Sequence, residues 1–225
     1  MQKQPNYSQY VEHPRYGRSP RYTGLHPDRN APGVHLHWNT EIVSDAIPAH
    51  LRSTWGEWPP SWYSGDQPVC VPDTAIEADP LRQAPRPLPV THYYDLDVLC
   101  RQCRRRFIFF AEEQKLWYEE LQLPLESQAV RCTECRKQER WVANQKKRYD
   151  TLCSIVDRTP EQSVEMAECC LLLIEQTVFH PKQTQHVRQL LNSVPEDDRQ
   201  TPRYQALRAR VLTCETELAK TGSGY

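Results

Sequence analysis

Cys100-Arg101-Gln102-Cys103 and, after 28 intervening residues, Cys132-Thr133-Glu134-Cys135 are the stretches that decide how this chain is built. Each pair has C-x-x-C spacing, and four thiolates saturate a tetrahedral zinc. The two pairs therefore predict one closed, structural zinc held by Cys100, Cys103, Cys132 and Cys135. A zinc bound by four thiolates carries a net charge of about −2 and needs nearby cations or N–H donors. Arg101, Arg104, Arg105, Arg106, Arg131, Arg136 and Lys137 flank the ligands and are the candidates. Four unmetallated core thiols are a poor alternative, because the interiors of both pairs are polar and charged. An iron–sulfur cluster uses the same ligand count, and a redox C-x-x-C would not need two pairs.

The gap between the pairs exceeds the roughly 15–20 residues usual for this pattern, and its content accounts for the excess. Phe107-Ile108-Phe109-Phe110 reads as a strand. Ala111 to Leu123 reads as a helix on which Phe110, Trp117 and Leu121 share a face, and Pro124 precedes the second pair. The expectation is a zinc ribbon with a helix inserted between two knuckles.

Working outward, proline and glycine divide the 225 residues. Fourteen of nineteen prolines and five of seven glycines precede residue 90, a density that forbids long helices. Residues 1–91 therefore read as an extended arm. Trp38, Trp55, Trp58 and Trp62 lie in it with Tyr7, Tyr10, Tyr16, Tyr22 and Tyr63. Disordered tails are poor in aromatics, so the arm is expected to dock on the later domains; Trp55 to Tyr63 reads equally as a lid on the ribbon or as a segment that meets a partner. Two short echoes run through it. Pro14-Arg-Tyr-Gly-Arg-Ser-Pro20 is followed by Pro20-Arg-Tyr-Thr-Gly-Leu-His-Pro27, and Asp45 to Arg52 is echoed by Thr74 to Arg82.

Beyond the ribbon (92–140), residues 141–221 read as a helical bundle. Thr159-Pro160-Glu161-Gln162 is a helix start with a capping box, followed by the apolar stripe Val164, Ala167, Leu171, Ile174 and Val178. Val187, Leu190, Leu191 and Val194 make a shorter helix. Thr201-Pro202 opens another, with Tyr204, Leu207, Val211, Cys214 and Leu218 on one side. Trp141 to Val156 is expected as a connecting helix with Tyr149, Leu152 and Val156 on one face. Cys169-Cys170 falls in the apolar stripe and reads as core. The whole is a small α+β protein: an arm, a four-cysteine ribbon and a bundle.

Asp97 through Arg140 resembles the bacterial probable zinc-ribbon proteins. That signature has a first C-x-x-C, an aromatic strand, an Ala-Glu-x-Gln-x-x-Trp/Phe-Tyr helix and a final R-C-x-x-C-R. Here Cys100, Cys103, Phe107, Phe109, Ala111, Glu112, Gln114, Trp117, Tyr118, Arg131, Cys132, Cys135 and Arg136 supply it in that order. The resemblance implies zinc and a fold but no reaction. The family usually has glycine after the first pair, where the knuckle turns through positive φ; Arg104 stands there in this chain.

Function is bounded more than it is named. Formal net charge is −1, so the chain as a whole has no polyanion-binding character. The longest apolar run, Cys169 to Ile174, is far short of a membrane span. The N-terminus has no apolar signal core, and nine cysteines without one read as reduced thiols in a cytoplasmic protein. No glycine-rich phosphate loop, nucleophile elbow or H-E-x-x-H is present, so no enzyme is expected. The expected role is a non-enzymatic zinc-binding adaptor for another protein. The alternative is nucleic-acid binding by the basic stretch Arg136, Lys137, Arg140, Lys146, Lys147 and Arg148, with Trp141 and Tyr149 available to stack on bases. His35 and His37, with His13 and His26, form a weaker second metal candidate that reads more simply as solvated loop histidines.

Overall fold

The computed structural model describes residues 6–27, 68–85 and 90–222, with side chains to residue 217. The chain divides into two compact units, Met1–Arg136 and Lys137–Tyr225.

The first unit is organised by a β-hairpin. Leu96–Leu99 (β4) and Arg106–Phe109 (β5) pair antiparallel, Leu96 opposite Phe109 and Leu99 opposite Arg106. Alternation places Leu96, Val98 and Cys100 on the same side as Phe107 and Phe109, and all five are buried. Val69–Cys70 (β1) pairs with the other edge of β4. Ile76–Glu77 (β2) and His92–Tyr93 (β3) form a separate two-stranded ladder. The expected strand at 107–110 is thus present, shifted by one residue.

Ala111–Lys115 (α1) follows β5 and widens into a π-helical turn, Leu116–Glu120. The π turn corrects one expectation. Leu121 N–H donates to the Leu116 carbonyl, five residues back, so the phase of the helix slips. Leu121 ends 58 % exposed, while Phe110 and Tyr118 are buried. The Tyr118 hydroxyl donates to the Ser127 carbonyl at 2.6 Å.

Residues 6–27 lie against this framework. Val11 N–H donates to the Arg106 carbonyl at 2.8 Å, and Val11 forms a parallel bridge with Phe107 along the outer edge of β5. Tyr10 hydroxyl donates to Asp97 at 2.8 Å. Further along, Thr23 N–H meets the Asp73 carbonyl and its hydroxyl donates to the Ala75 carbonyl. Asp95, fully buried, accepts from the backbone N–H groups of Arg21 and Ala111 at 2.7 Å each, joining arm and α1. Burial pushes its carboxyl up to about 6 against the lowering effect of those two donors. In the two Pro-Arg-Tyr echoes, Gly17 and Gly24 both take positive φ, 88° and 73°. Trp38, Trp55, Trp58, Trp62 and the Asp45 to Arg52 echo lie outside the described residues.

Thr133–Cys153 (α2) starts in the first unit and ends in the second. The helix expected from Trp141 therefore begins eight residues earlier. It also ends before Val156, which is 91 % exposed. In the second unit, Pro160–Glu175 (α3), Thr184–Asn192 (α4) and Pro202–Gly222 (α5) follow. The Thr159 capping box is formed. Leu152, Val164, Ala167, Cys170, Leu171, Ile174, Val187, Leu190, Leu191, Val194, Tyr204, Leu207 and Val211 make one core. Cys169 is buried beside it and donates to Gln145. Arg203 pairs with Glu168 and Arg210 with Glu175, at the same seven-residue step on both helices, so α3 and α5 run parallel.

The stripe ends short of Val178, which is 44 % exposed, because α3 closes in a Schellman motif. Val178 N–H bonds the Leu173 carbonyl and Thr177 N–H that of Ile174, with Thr177 at φ 56°. Phe179 instead packs on the core, edge-to-face with Tyr149 at 5.1 Å. A β-branched residue in the left-handed region is strained. Thr177→Gly is expected to raise the unfolding free energy by about 1 kcal/mol, read by urea denaturation of the full chain. An unchanged or lower midpoint would show the motif to be unstrained.

Candidate metal centre

The four cysteines come together from two kinds of local structure. Cys100 and Cys103 sit on the turn joining β4 to β5. Cys100 N–H donates to the Arg105 carbonyl, and Arg104 N–H to the Cys100 carbonyl. Closing this turn sends Arg104 through φ 59°, the position where the resembling family keeps glycine. Cys132 and Cys135 do not form a second knuckle. Cys132 stands at the entrance of α2, where its carbonyl accepts the first helical bond from Arg136 N–H at 2.9 Å. Positions three apart on a helix share a face, as C-x-x-C sulfurs do on a knuckle, so spacing does not distinguish the two. The expected two-knuckle ribbon is corrected to a knuckle plus a helix start.

The sulfurs fit one tetrahedral ion. Cys100 and Cys135 Sγ are 3.8 Å apart, as are Cys103 and Cys132 Sγ, and all four lie within 4.8 Å of one another. A zinc–sulfur bond of about 2.3 Å gives a tetrahedral edge of about 3.8 Å. No disulfide forms among them, since a disulfide needs about 2.05 Å. A multi-iron cluster, whose thiolates bind different irons, requires wider spacing. Among the described residues this is the one group of three or more ligand-type side chains.

The electrostatics of the four thiols differ. Burial pushes the Cys135 thiol up, and the neighbouring thiols push it further; burial likewise raises Cys132. At Cys100 burial acts in the same direction, but the backbone N–H groups of Cys103, Cys132 and Gln102 outweigh it and bring the thiol down to about 6. Cys132 N–H lies 3.4 Å from Cys100 Sγ. Four thiolates held this close, three of them buried, would repel one another, and a divalent cation removes that cost.

The flanking cations serve it unequally. Arg105 reaches both Cys103 and Glu134. Arg106 turns to Asp97 at 3.0 Å. Arg136 donates to Glu113 at 2.6 Å, with its guanidinium over the Trp117 ring. Glu113 also faces His13, whose Nε2 lies 3.6 Å from Oε2. His13 Nδ1 accepts from the N–H groups of Arg15 and Tyr16, which leaves the ring proton on Nε2 toward Glu113. This cluster carried no signal in the sequence, because its members are 23 and 100 residues apart.

The basic stretch lies on α2 and is partly paired. Arg148 makes a two-pronged contact with Glu165 at 2.6 Å, and Lys146 pairs with Asp150 at 3.2 Å. Lys137, Arg140 and Lys147 are exposed on α2. His26 pairs with Asp73 at 3.0 Å, and His35 and His37 lie outside the described residues.

Residues 94–144 match a family model described as a probable treble clef domain, which is similar to this chain in the region of both cysteine pairs. No curated protein and no solved structure matches. The ligand geometry and this match agree on one structural zinc.

Plasma mass spectrometry with a thiol titration is expected to find one zinc per chain and about five reactive thiols of the nine, the four ligands being occupied. Cys100→Ser is expected to lose the metal and unfold the first unit, because binding and folding are coupled in such sites; a full metal load and unchanged melting would remove Cys100 from the ligand set. His13 gives a pH signature. Burial first, then Arg136 and Arg15, lower its pKa below 6.5, while Glu113 opposes them. The stability it contributes is complete above its unfolded pKa of about 6.5 and is lost as pH falls below that value toward the depressed folded one. Parent protein is therefore expected to lose more stability than His13→Gln between neutral and mildly acid pH, measured by urea midpoints; equal losses would contradict this.

Proposed function

We propose that the chain is a non-enzymatic zinc-stapled adaptor that binds another protein. The observation that carries this reading is a set of exposed leucines in the first unit. Leu81 is 95 % exposed, Leu121 58 % and Leu116 40 %. They sit on two elements that pack together, the Pro80–Arg82 turn and the π turn with the residue after it. Asp79 N–H bonds Glu119, and Gln122 bonds the Arg82 carbonyl. Apolar side chains gathered at one place on a surface mark interaction sites. The centre itself supports a structural role, since four thiolates leave no open position on the ion for water or substrate.

Nucleic-acid binding is the second reading. Lys137, Arg140, Trp141, Lys147 and Arg148 fall within an arc of about 120° on α2, and Trp141 is 41 % exposed. Against it, Arg136 and Arg148 are engaged by Glu113 and Glu165, and residues 137–225 hold thirteen Lys and Arg against twelve Asp and Glu.

Affinity purification from native extract at low and high salt, with labelled oligonucleotide titrations beside it, separates the two. The adaptor reading expects a stoichiometric protein partner that survives high salt and is lost in Leu81→Asp/Leu121→Asp. Oligonucleotide affinity that falls steeply with salt, and is abolished by Lys146→Glu/Lys147→Glu/Arg148→Glu, would replace it with the nucleic-acid reading.

A further inference from the structure

We infer that residues 10–18 of the arm form a latch whose docking is coupled to occupancy of the four-cysteine centre. Two of the links that tie this stretch to the protein end beside a ligand. Thr133, next to Cys132, donates its hydroxyl to the Glu12 carbonyl at 3.0 Å. Arg136, next to Cys135, holds Glu113 at 2.6 Å, and Glu113 in turn faces His13. Arg106, three residues after Cys103, accepts the Val11 N–H. His13 then sets the turn behind it, since its backbone exchanges two hydrogen bonds with Gly17 and its ring stacks on Tyr16 at 4.6 Å.

Thr133 and Arg136 keep their positions relative to the β4–β5 hairpin only while the start of α2 is fixed against it, whereas the Arg106 carbonyl and Asp97, which hold Val11 and Tyr10, belong to the hairpin itself. Residues 121–132, which connect them, contain no helix or strand. The two sulfur pairs, one member of each on the knuckle and one on the helix start, cross that gap together with the Arg105–Glu134 ion pair. The later part of the arm is held differently. Arg21 and Thr23 bond Asp95, Asp73 and Ala75, none of which adjoins a ligand.

Loss of the metal therefore releases residues 10–18 first, ahead of residues 21–23 and of the unfolding of the rest of the unit. Release bares the outer edge of β5 together with Tyr10, Val11 and His13. An unpaired strand edge with aromatic neighbours accepts an extended segment, so the latch makes that surface conditional on metal. The coupling is reciprocal: whatever factor docking gains from metal, metal affinity gains from docking.

The test is amide exchange followed by NMR on the full zinc-loaded chain, with metal content measured in each sample. His13→Gln changes the arm side alone, and Arg136→Gln the helix side. Both are expected to retain one zinc per chain and to speed exchange of the Val11, His13 and Gly17 amides roughly ten- to hundredfold, the change that losing a charged contact makes in a local opening. The Thr23 amide and the β4–β5 amides keep their protection. By linkage, His13→Gln also lowers zinc affinity in chelator competition, and chelation of the parent frees the same three amides before Thr23. Parent-like exchange at those amides in zinc-loaded His13→Gln, or their full protection in the chelated parent, would overturn the latch. Simultaneous loss of Thr23 protection in zinc-loaded His13→Gln would overturn the division of the arm.

Discussion

Four thiolates, three of them buried, cannot share a space 4.8 Å across without a cation, and the rest of the first unit depends on that constraint. The ion joins the knuckle to the first turn of α2. The helix start suits the task, because its first-turn N–H groups point outward toward negative charge, as Cys132 N–H does toward Cys100.

Buried charge does the second part of the work. Asp95 and Glu113 lie in the interior, and each joins segments distant in the chain. Asp95 gathers Arg21 and Ala111 through backbone donors, so it fixes position without needing a counter-ion. Glu113 needs one and takes Arg136. Removing one member of such a pair is far more costly than never having had it, so both clusters specify which segments meet more than they add stability. The helical unit relies on neither device. Its core is built from apolar faces of four helices, and its Arg–Glu pairs stand at the surface, where they contribute little.

Much of this was legible in the residues. The ligand set followed from two C-x-x-C pairs, the β5 strand from four consecutive apolar residues, and the start of α3 from Thr159-Pro160 with Gln162 three residues on. Val187, Leu190, Leu191 and Val194 announced the short helix by spacing alone. Errors gathered where the period changes or the chain turns back. An α period carried through the π turn puts Leu121 on one face with Phe110 and Trp117, and the π turn moves it off that face. Val156 and Val178 extended stripes past the helix ends at Cys153 and Glu175. The arginines flanking the cysteines read as counter-charges for sulfur, yet Arg106 and Arg136 turn to carboxylates.

By itself, then, the sequence determined the chemistry of the metal centre and the apolar faces of the bundle. Both are local: ligand type and spacing limit the ion, and a 3.6-residue period marks a face. Tertiary structure alone decided that Cys132 and Cys135 lie on a helix start, since i and i+3 sulfurs converge equally on a knuckle or on a first turn. It alone decided that His13, Glu113 and Arg136 meet, and that the arm closes the edge of β5. Those contacts join residues far apart in the chain, and no periodicity in the sequence encodes a meeting between them.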